Sequence, residues 1–165
     1  MIEKRKFSKY QMKISFEYFN DLYMKPGKKP AFSAFVFENR ERLAGAYVAL
    51  QNEIYDENRD PQYQEYRRRL AEIQAKWSDK DATGKPKLDE NQQFVITEHR
   101  EKVVEEGSKL NEEFKDLVAR VQNKGQLNDQ IMNQLIDIDV AVITTSEFID
   151  ECPPFIVGMF RHSGV

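Results

Sequence analysis

Apolar residues recur along most of this chain at helical rather than strand spacing. Val36, Leu43, Tyr47, Leu50 and Ile54 fall on one face of a long helix. Asp60-Pro61 interrupts the pattern and suits the N-cap and first position of a new helix. Tyr63, Tyr66, Leu70, Ile73 and Trp77 then recur at intervals of 3, 4, 3 and 4, the spacing of an a/d seam. Val103, Gly107, Leu110, Phe114, Leu117 and Val121 carry the same signature at intervals of 4, 3, 4, 3 and 4. The spacing therefore predicts helices over 61–78 and 98–123, lying side by side as an antiparallel, coiled-coil-like hairpin. Gly107 on the seam is expected to admit a facing aromatic ring at close range.

Strand-like patterning is confined to short stretches. Met12–Ser15 alternates, with Ser15 placed to cap a short helix through Phe16, Phe19 and Leu22. Lys25-Pro26-Gly27-Lys28-Lys29-Pro30 breaks the chain. Between the two seam helices, Asp81-Ala82-Thr83-Gly84 reads as a turn and Phe94-Val95-Ile96 as a β-like run, together a small hairpin at the tip. Asn123-Lys124-Gly125 signals a helix end, Leu127, Ile131 and Leu135 a short helix, and Ile136, Ile138, Val140 and Val142 a strand alternating with Asp137 and Asp139. Thr145 or Ser146 is placed to cap a final short helix that Cys152-Pro153-Pro154 stops, before an apolar tail over 155–160. The expected class is mainly α: an antiparallel helical hairpin with short β elements and a small C-terminal α/β segment. Residues 1–30 form an N-terminal segment, 31–125 the hairpin with its tip loop near 78–97, and 126–165 a short helix, strand and apolar tail, as one domain overall.

Composition narrows the class. Charged residues are 32% of the 165, and mean hydropathy is −0.72. Nineteen aromatics still argue for a packed core. No apolar run is long enough to span a membrane, and the basic start Met1–Lys6 leads into no signal-peptide core. The single cysteine, Cys152, rules out an intramolecular disulfide framework and suits a reducing compartment.

Charge is distributed unevenly. Residues 1–30 carry eight Lys/Arg against three Asp/Glu, whereas residues 126–165 carry one Arg against six Asp/Glu. The basic end is also aromatic, with Phe7, Tyr10, Phe16, Tyr18, Phe19 and Tyr23 interleaved among its lysines. Three readings follow: aromatics facing the core, a contact between the basic and acidic ends within or between chains, and a nucleic-acid surface over residues 1–13. Lys4, Arg5, Lys6, Phe7, Lys9 and Tyr10, with Phe155, Ile156, Met159 and Phe160 of the tail, are the candidate partner-binding residues. The expected partners are other protein subunits in an oligomeric assembly, with no membrane.

The most specific chemical motif is Asp79-Lys80-Asp81-Ala82-Thr83-Gly84-Lys85-Pro86-Lys87-Leu88-Asp89-Glu90. It has oxygen-bearing residues at positions 1, 3, 5 and 12 and glycine at 6, as a calcium loop does. Asp79, Asp81, Thr83 and Glu90 are the candidate ligands, and calcium is the one cofactor suggested. Thr83 at position 5, Pro86 at position 8 and the lack of a paired second loop count against it; a polar turn is the alternative. His99 and His162 belong to no metal-ligand spacing, and Cys152 with His162 makes a thiol–imidazole pair only if the fold joins them. Asp137 and Asp139 share one strand face without a third ligand. No phosphate loop or dinucleotide fingerprint occurs, so a non-enzyme is expected, with no catalytic residues.

The layout as a whole has a parallel. Lys29-Pro30-Ala31 precedes a helix with Asn39, Arg42 and Leu43; a second helix leads to Lys80–Pro86; a glutamate-rich helix, the strand Ile136–Ile143 and a short helix with Pro154-Phe155-Ile156 follow. Over residues 28–160 this resembles small proteins encoded by tailed bacteriophages, a group generally described as of unknown function. The resemblance implies a phage structural or virion accessory protein, located in the virion or the host cytoplasm. The competing readings are an intracellular binder that modulates a host or phage enzyme, and a nucleic-acid-binding accessory protein.

Overall fold

The computed structural model describes residues 1–25, 29–144 and 151–162. The protein is mainly helical, with a two-stranded antiparallel sheet and a small C-terminal helix. The chain runs β1 (Ile2–Ser8), α1 (Lys9–Tyr23), α2 (Pro30–Glu53), a short 3₁₀ turn (Glu57–Arg59), α3 (Pro61–Trp77), α4 (Arg100–Glu113), α5 (Lys115–Gln122), α6 (Lys124–Met132), β2 (Leu135–Ala141) and α7 (Pro154–Phe160). It divides into two compact units, Met1–Ile54 with Gln126–Val165, and Tyr55–Gly125. The long helix α2 thus belongs with the N-terminal segment, not with the hairpin as its position in 31–125 suggested. It packs on α1 and β2, where Phe32 and Phe35 find an apolar interior.

In the first unit, β1 and β2 pair with Ile2 opposite Ala141 and Ser8 opposite Leu135. Ser8 ends the strand and caps α1: its hydroxyl accepts from the Gln11 N–H, and the Gln11 side chain accepts from the Ser8 N–H. The expected strand over 12–15 is therefore helix. Ser15 sits inside it, its hydroxyl donating to the Gln11 carbonyl rather than capping a helix start. A capping box outweighed four alternating residues. Pro30 occupies the first turn of α2, where its missing N–H costs nothing.

The core is aromatic. Phe19 meets Phe160 edge-on at 5.1 Å and Phe35 at 5.6 Å, while Phe7 lies 5.5 Å from Phe160. Met12, Phe32, Leu43, Leu50, Ile143 and Ile156 complete it. Each such side chain contributes roughly 1.5–3 kcal/mol by leaving water. The apolar run 155–160 lies in helix α7, matching the short helix with Pro154-Phe155-Ile156 in the layout, and it seats Ile156 and Phe160 in this core. The proposed caps Thr145 and Ser146 lie outside the described residues.

One polar side chain enters the same interior. Asn39 of α2 accepts from the Ala141 N–H at 2.9 Å and donates to the Ala141 carbonyl at 3.1 Å. Its amide does for the outer edge of β2 what a neighbouring strand would do. Just beyond, Ile143 donates to Phe160 and accepts from His162, a parallel bridge that ties the end of α7 to the sheet.

The second unit is the hairpin. Its cross-helix pairs are Gln62 with Arg120, Tyr66 with Asn111 and Phe114, Arg69 with Glu113, Lys76 with Glu106, and Trp77 with His99. Numbers rise on one helix as they fall on the other, so the helices are antiparallel. Asp60 caps α3 by accepting from the Gln62 N–H at 2.9 Å. The second arm is two helices, α4 and α5, broken at Phe114. The helix-end signal at 123–125 stops α5, but Lys124 and Gly125 open α6 at once.

Candidate functional site

Two surfaces carry the candidate residues: the hairpin with its tip, and the strand pair with α7. On the hairpin, the seam that helical spacing marks is only partly closed. Tyr63, Tyr66, Leu70, Ile73 and Trp77 are all half-buried, and α3 has no fully buried residue. On the facing arms only Leu110 and Leu117 are enclosed. Two helices can cover each other along one line; the flanks of an a/d stripe need a third element.

The two flanks differ. One carries the ion pairs Arg69–Glu113 and Lys76–Glu106, with Glu72 and Lys109 beside them. Hydrogen bonds from these basic groups hold the Glu113 and Glu106 carboxyls below the usual range. The other flank includes an apolar groove of about 240 Å³ lined by Tyr63, Tyr66, Leu117, Val118, Val121 and Gln122. Val104 is 66% exposed. Gly107 does not admit a ring: a Cβ there would meet no atom within 4 Å. Arg67, Arg68 and Arg69 diverge as helical geometry requires, to Tyr63, to Glu65 and Glu72, and to Glu113.

The tip contains two copies of one turn. The Asp81 carboxylate accepts from the backbone N–H of Thr83 and Lys85, and its carbonyl from that of Gly84. The Asp89 carboxylate accepts likewise from Asn91 and Gln93, and its carbonyl from Gln92. The fourth residue of each copy is left-handed, Gly84 at φ 80° and Gln92 at φ 61°. Asp79 ties the base by accepting from the Thr97 hydroxyl and N–H. Two of the candidate calcium ligands, Asp79 and Asp81, thus already accept hydrogen bonds from the chain. Asp79 and Asp81 take hydrogen bonds from Thr97 and Thr83, which pull both carboxyls below their usual range. Glu90 is exposed in the second turn. Among the described residues, no three His, Cys, Asp or Glu side chains stand together as metal ligands. The motif builds a turn because Asp81, at its third position, finds N–H donors two and four residues on, at Thr83 and Lys85.

On the strand pair, the candidate partner-binding residues separate by strand parity. Phe7, Ile156 and Phe160 are interior and cannot face a partner. Met159 and Lys9 are half-buried, Lys9 between Glu53 and Gln134. Arg5 is half-buried, pairing with Glu3 at 2.6 Å and donating to the Arg161 carbonyl at 2.8 Å. Lys4, Lys6, Tyr10 and Phe155 remain exposed. Lys4 lies opposite Asp139 and Lys6 opposite Asp137 in the sheet register. The basic and acidic ends of the sequence thus meet within one chain. Of the six N-terminal aromatics, Phe7 and Phe19 are core, Phe16 stacks on Tyr47 at 4.3 Å, and Tyr10 and Tyr23 are exposed.

His162 meets Glu3, which lowers the Glu3 carboxyl pKa, while buried Cys152 lies beside Tyr18. Burial first, and then Cys152, keep the Tyr18 phenol protonated well above its ordinary range. Sequence reasoning missed the Asn39 plug and the repeated turn; the recurrence of Asp four residues before Lys85 and before Gln93 was the signal for the latter. Among the described residues no helix is long and apolar enough to cross a membrane. No protein-family model matches this chain, and no curated protein or solved structure is significantly similar to it.

Proposed function

We propose that this chain is a non-enzymatic phage structural or virion accessory protein that acts through protein–protein contacts. The observation that carries the reading is the open seam of the hairpin. Tyr63, Tyr66, Leu70, Ile73 and Trp77 stay half-exposed on a helix pair that has no third layer of its own. Aromatic residues held in rigid, partly dry positions are what protein interfaces use as anchors. The engagement of His162 with Glu3 and the burial of Cys152 favour structural over catalytic roles for both. The phage setting rests on the resemblance in layout.

Mass spectrometry of purified particles tests it. The chain is expected in stoichiometric amounts, and its absence would favour the intracellular binder. Photo-crosslinking from Leu70 is expected to capture a neighbouring subunit in assembled particles, and Tyr66→Ala with Ile73→Ser to abolish that capture while the fold persists.

A further inference from the structure

The ladder between β1 and β2 determines which backbone groups of β1 point away from it. Lys9 donates to Gln134 and Val142 donates to Met1. Residues 1, 3, 5, 7 and 9 are therefore the hydrogen-bonded partners of β2, because such pairs alternate in an antiparallel ladder. Ile2, Lys4 and Lys6 turn their N–H and C=O groups to the opposite side. The same parity turns Ala141 outward on β2, where Asn39 takes both its groups. That agreement fixes the assignment independently.

The two edges of the sheet are thus treated differently. The β2 edge is closed at its Ala141 end, by Asn39 and then by the bridge from Ile143 to Arg161, while no hydrogen bond among the described residues reaches the outward groups of Asp137 and Asp139. The β1 edge has no such cover: among the described residues, nothing hydrogen-bonds the outward backbone groups of Ile2, Lys4 and Lys6. Their side chains are exposed as well.

We propose that the outer edge of β1 is a strand-addition site for an extended, acidic segment of a partner protein. An added strand would gain main-chain hydrogen bonds from Ile2, Lys4 and Lys6, the usual source of affinity in this mode of recognition. Its specificity comes from the exposed face, where side chains of neighbouring strands sit side by side. β2 already supplies the pattern, with Asp139 and Asp137 opposite Lys4 and Lys6. A partner with Asp or Glu at alternate positions repeats that pattern on the open side. A second copy of β1 would instead set lysine against lysine, which is destabilising for directly opposed residues. This inference deepens the reading of the chain as a protein-binding module but uses a different surface from the hairpin seam, so either can fail alone.

The test uses the full chain and synthetic peptides in which Asp alternates with Val and Thr. Fluorescence anisotropy is expected to show binding at low salt, and no binding of the same peptide with Lys for Asp. N-methylation of the alternate amides that face β1 is expected to weaken binding about tenfold or more, the loss of roughly 1.4 kcal/mol or above. Lys4→Pro removes only an outward N–H, since position 4 makes no ladder bond to β2, and should weaken binding similarly while circular dichroism stays native. Lys4→Gln with Lys6→Gln should lower affinity and its salt dependence. N-methylation and Lys4→Pro leaving affinity unchanged would overturn strand addition. So would failure of the acidic peptide to bind at all, which would leave the lysines as guards of a bare edge, and so would tighter binding of a single-stranded oligonucleotide. Particle mass spectrometry and crosslinking from Leu70 are read separately and report on the hairpin reading alone.

Discussion

The two units of this molecule hold together by different physics. The first closes a three-dimensional core: Phe7, Phe19, Phe35 and Phe160 come from four elements spread across 154 residues of chain and meet in ring contacts of 5.1–6.3 Å. The second is built from neighbours, with two helices, a run of ion pairs and a tip stitched by local Asp-to-backbone hydrogen bonds. A core of the first kind satisfies its own apolar surface. A hairpin of the second kind leaves half of its seam in water. The contrast places the larger half-buried apolar surface on the hairpin, while the strand edge of the first unit offers backbone groups rather than apolar area.

The comparison is tested most severely at Phe160. Phe160→Ala removes a fully buried ring that meets three others, and should cost about 3–5 kcal/mol in urea unfolding of the first unit. Leu110→Ala in the hairpin should cost about 2 kcal/mol, at the low end for a buried leucine, because solvent can relax into a half-open seam. Equal losses at the two sites would remove the distinction. Asn39→Ala should cost about 2–3 kcal/mol, since it strands the Ala141 N–H and C=O in the interior. Amide exchange at Ala141 should accelerate selectively.

Smaller effects sharpen the hairpin side. Gly107→Ala faces open space within a helix and should stabilise by about 0.5–1 kcal/mol, read as a rise in Tm. Gln92→Gly relieves a left-handed non-glycine residue and should add about 1 kcal/mol. The smallest effect is acid sensitivity of the tip. Asp79 and Asp81 are held below the usual value of 3.8, so the folded tip binds fewer protons than the unfolded chain. Its contribution is full above about pH 4 and is lost as pH falls through the lowered carboxyl values. Amide NMR shifts of Thr83 and Thr97 against pH should follow that loss, and Asp81→Asn should remove it at Thr83.

Where sequence and structure part, a particular interaction decides each case. The seam of 63, 66, 70, 73 and 77 with 110 and 117 was legible because helix pairing depends on local period alone. So were the Asp60-Pro61 start and the strand from Ile136, although Leu135, expected to end the preceding helix, opens that strand. The strand at Ile2–Ser8 was hidden behind its charges: Lys4 and Lys6 read as partner-binding residues until Asp139 and Asp137 stand opposite them. Phe155, Ile156, Met159 and Phe160 read as one sticky tail, yet helix α7 turns Ile156 and Phe160 inward and leaves Phe155 43% exposed. The aspartates of the tip read as metal ligands because the same spacing serves a cation or a backbone turn.

The sequence by itself determined the helical class, the paired seam, the narrow apolar stripes and the opposed charge of the two ends, because periodicity and charge are local properties of the chain. Only the tertiary structure decided that α2 belongs with the ends of the chain, that Asn39 closes the Ala141 end of the sheet and that β1 turns Ile2, Lys4 and Lys6 to its outer edge. Those outcomes depend on strand register and on contacts across about a hundred residues, as between Asn39 and Ala141. Register is set by which residues lie opposite one another, and a one-residue slip would turn Phe7 outward and the lysines in.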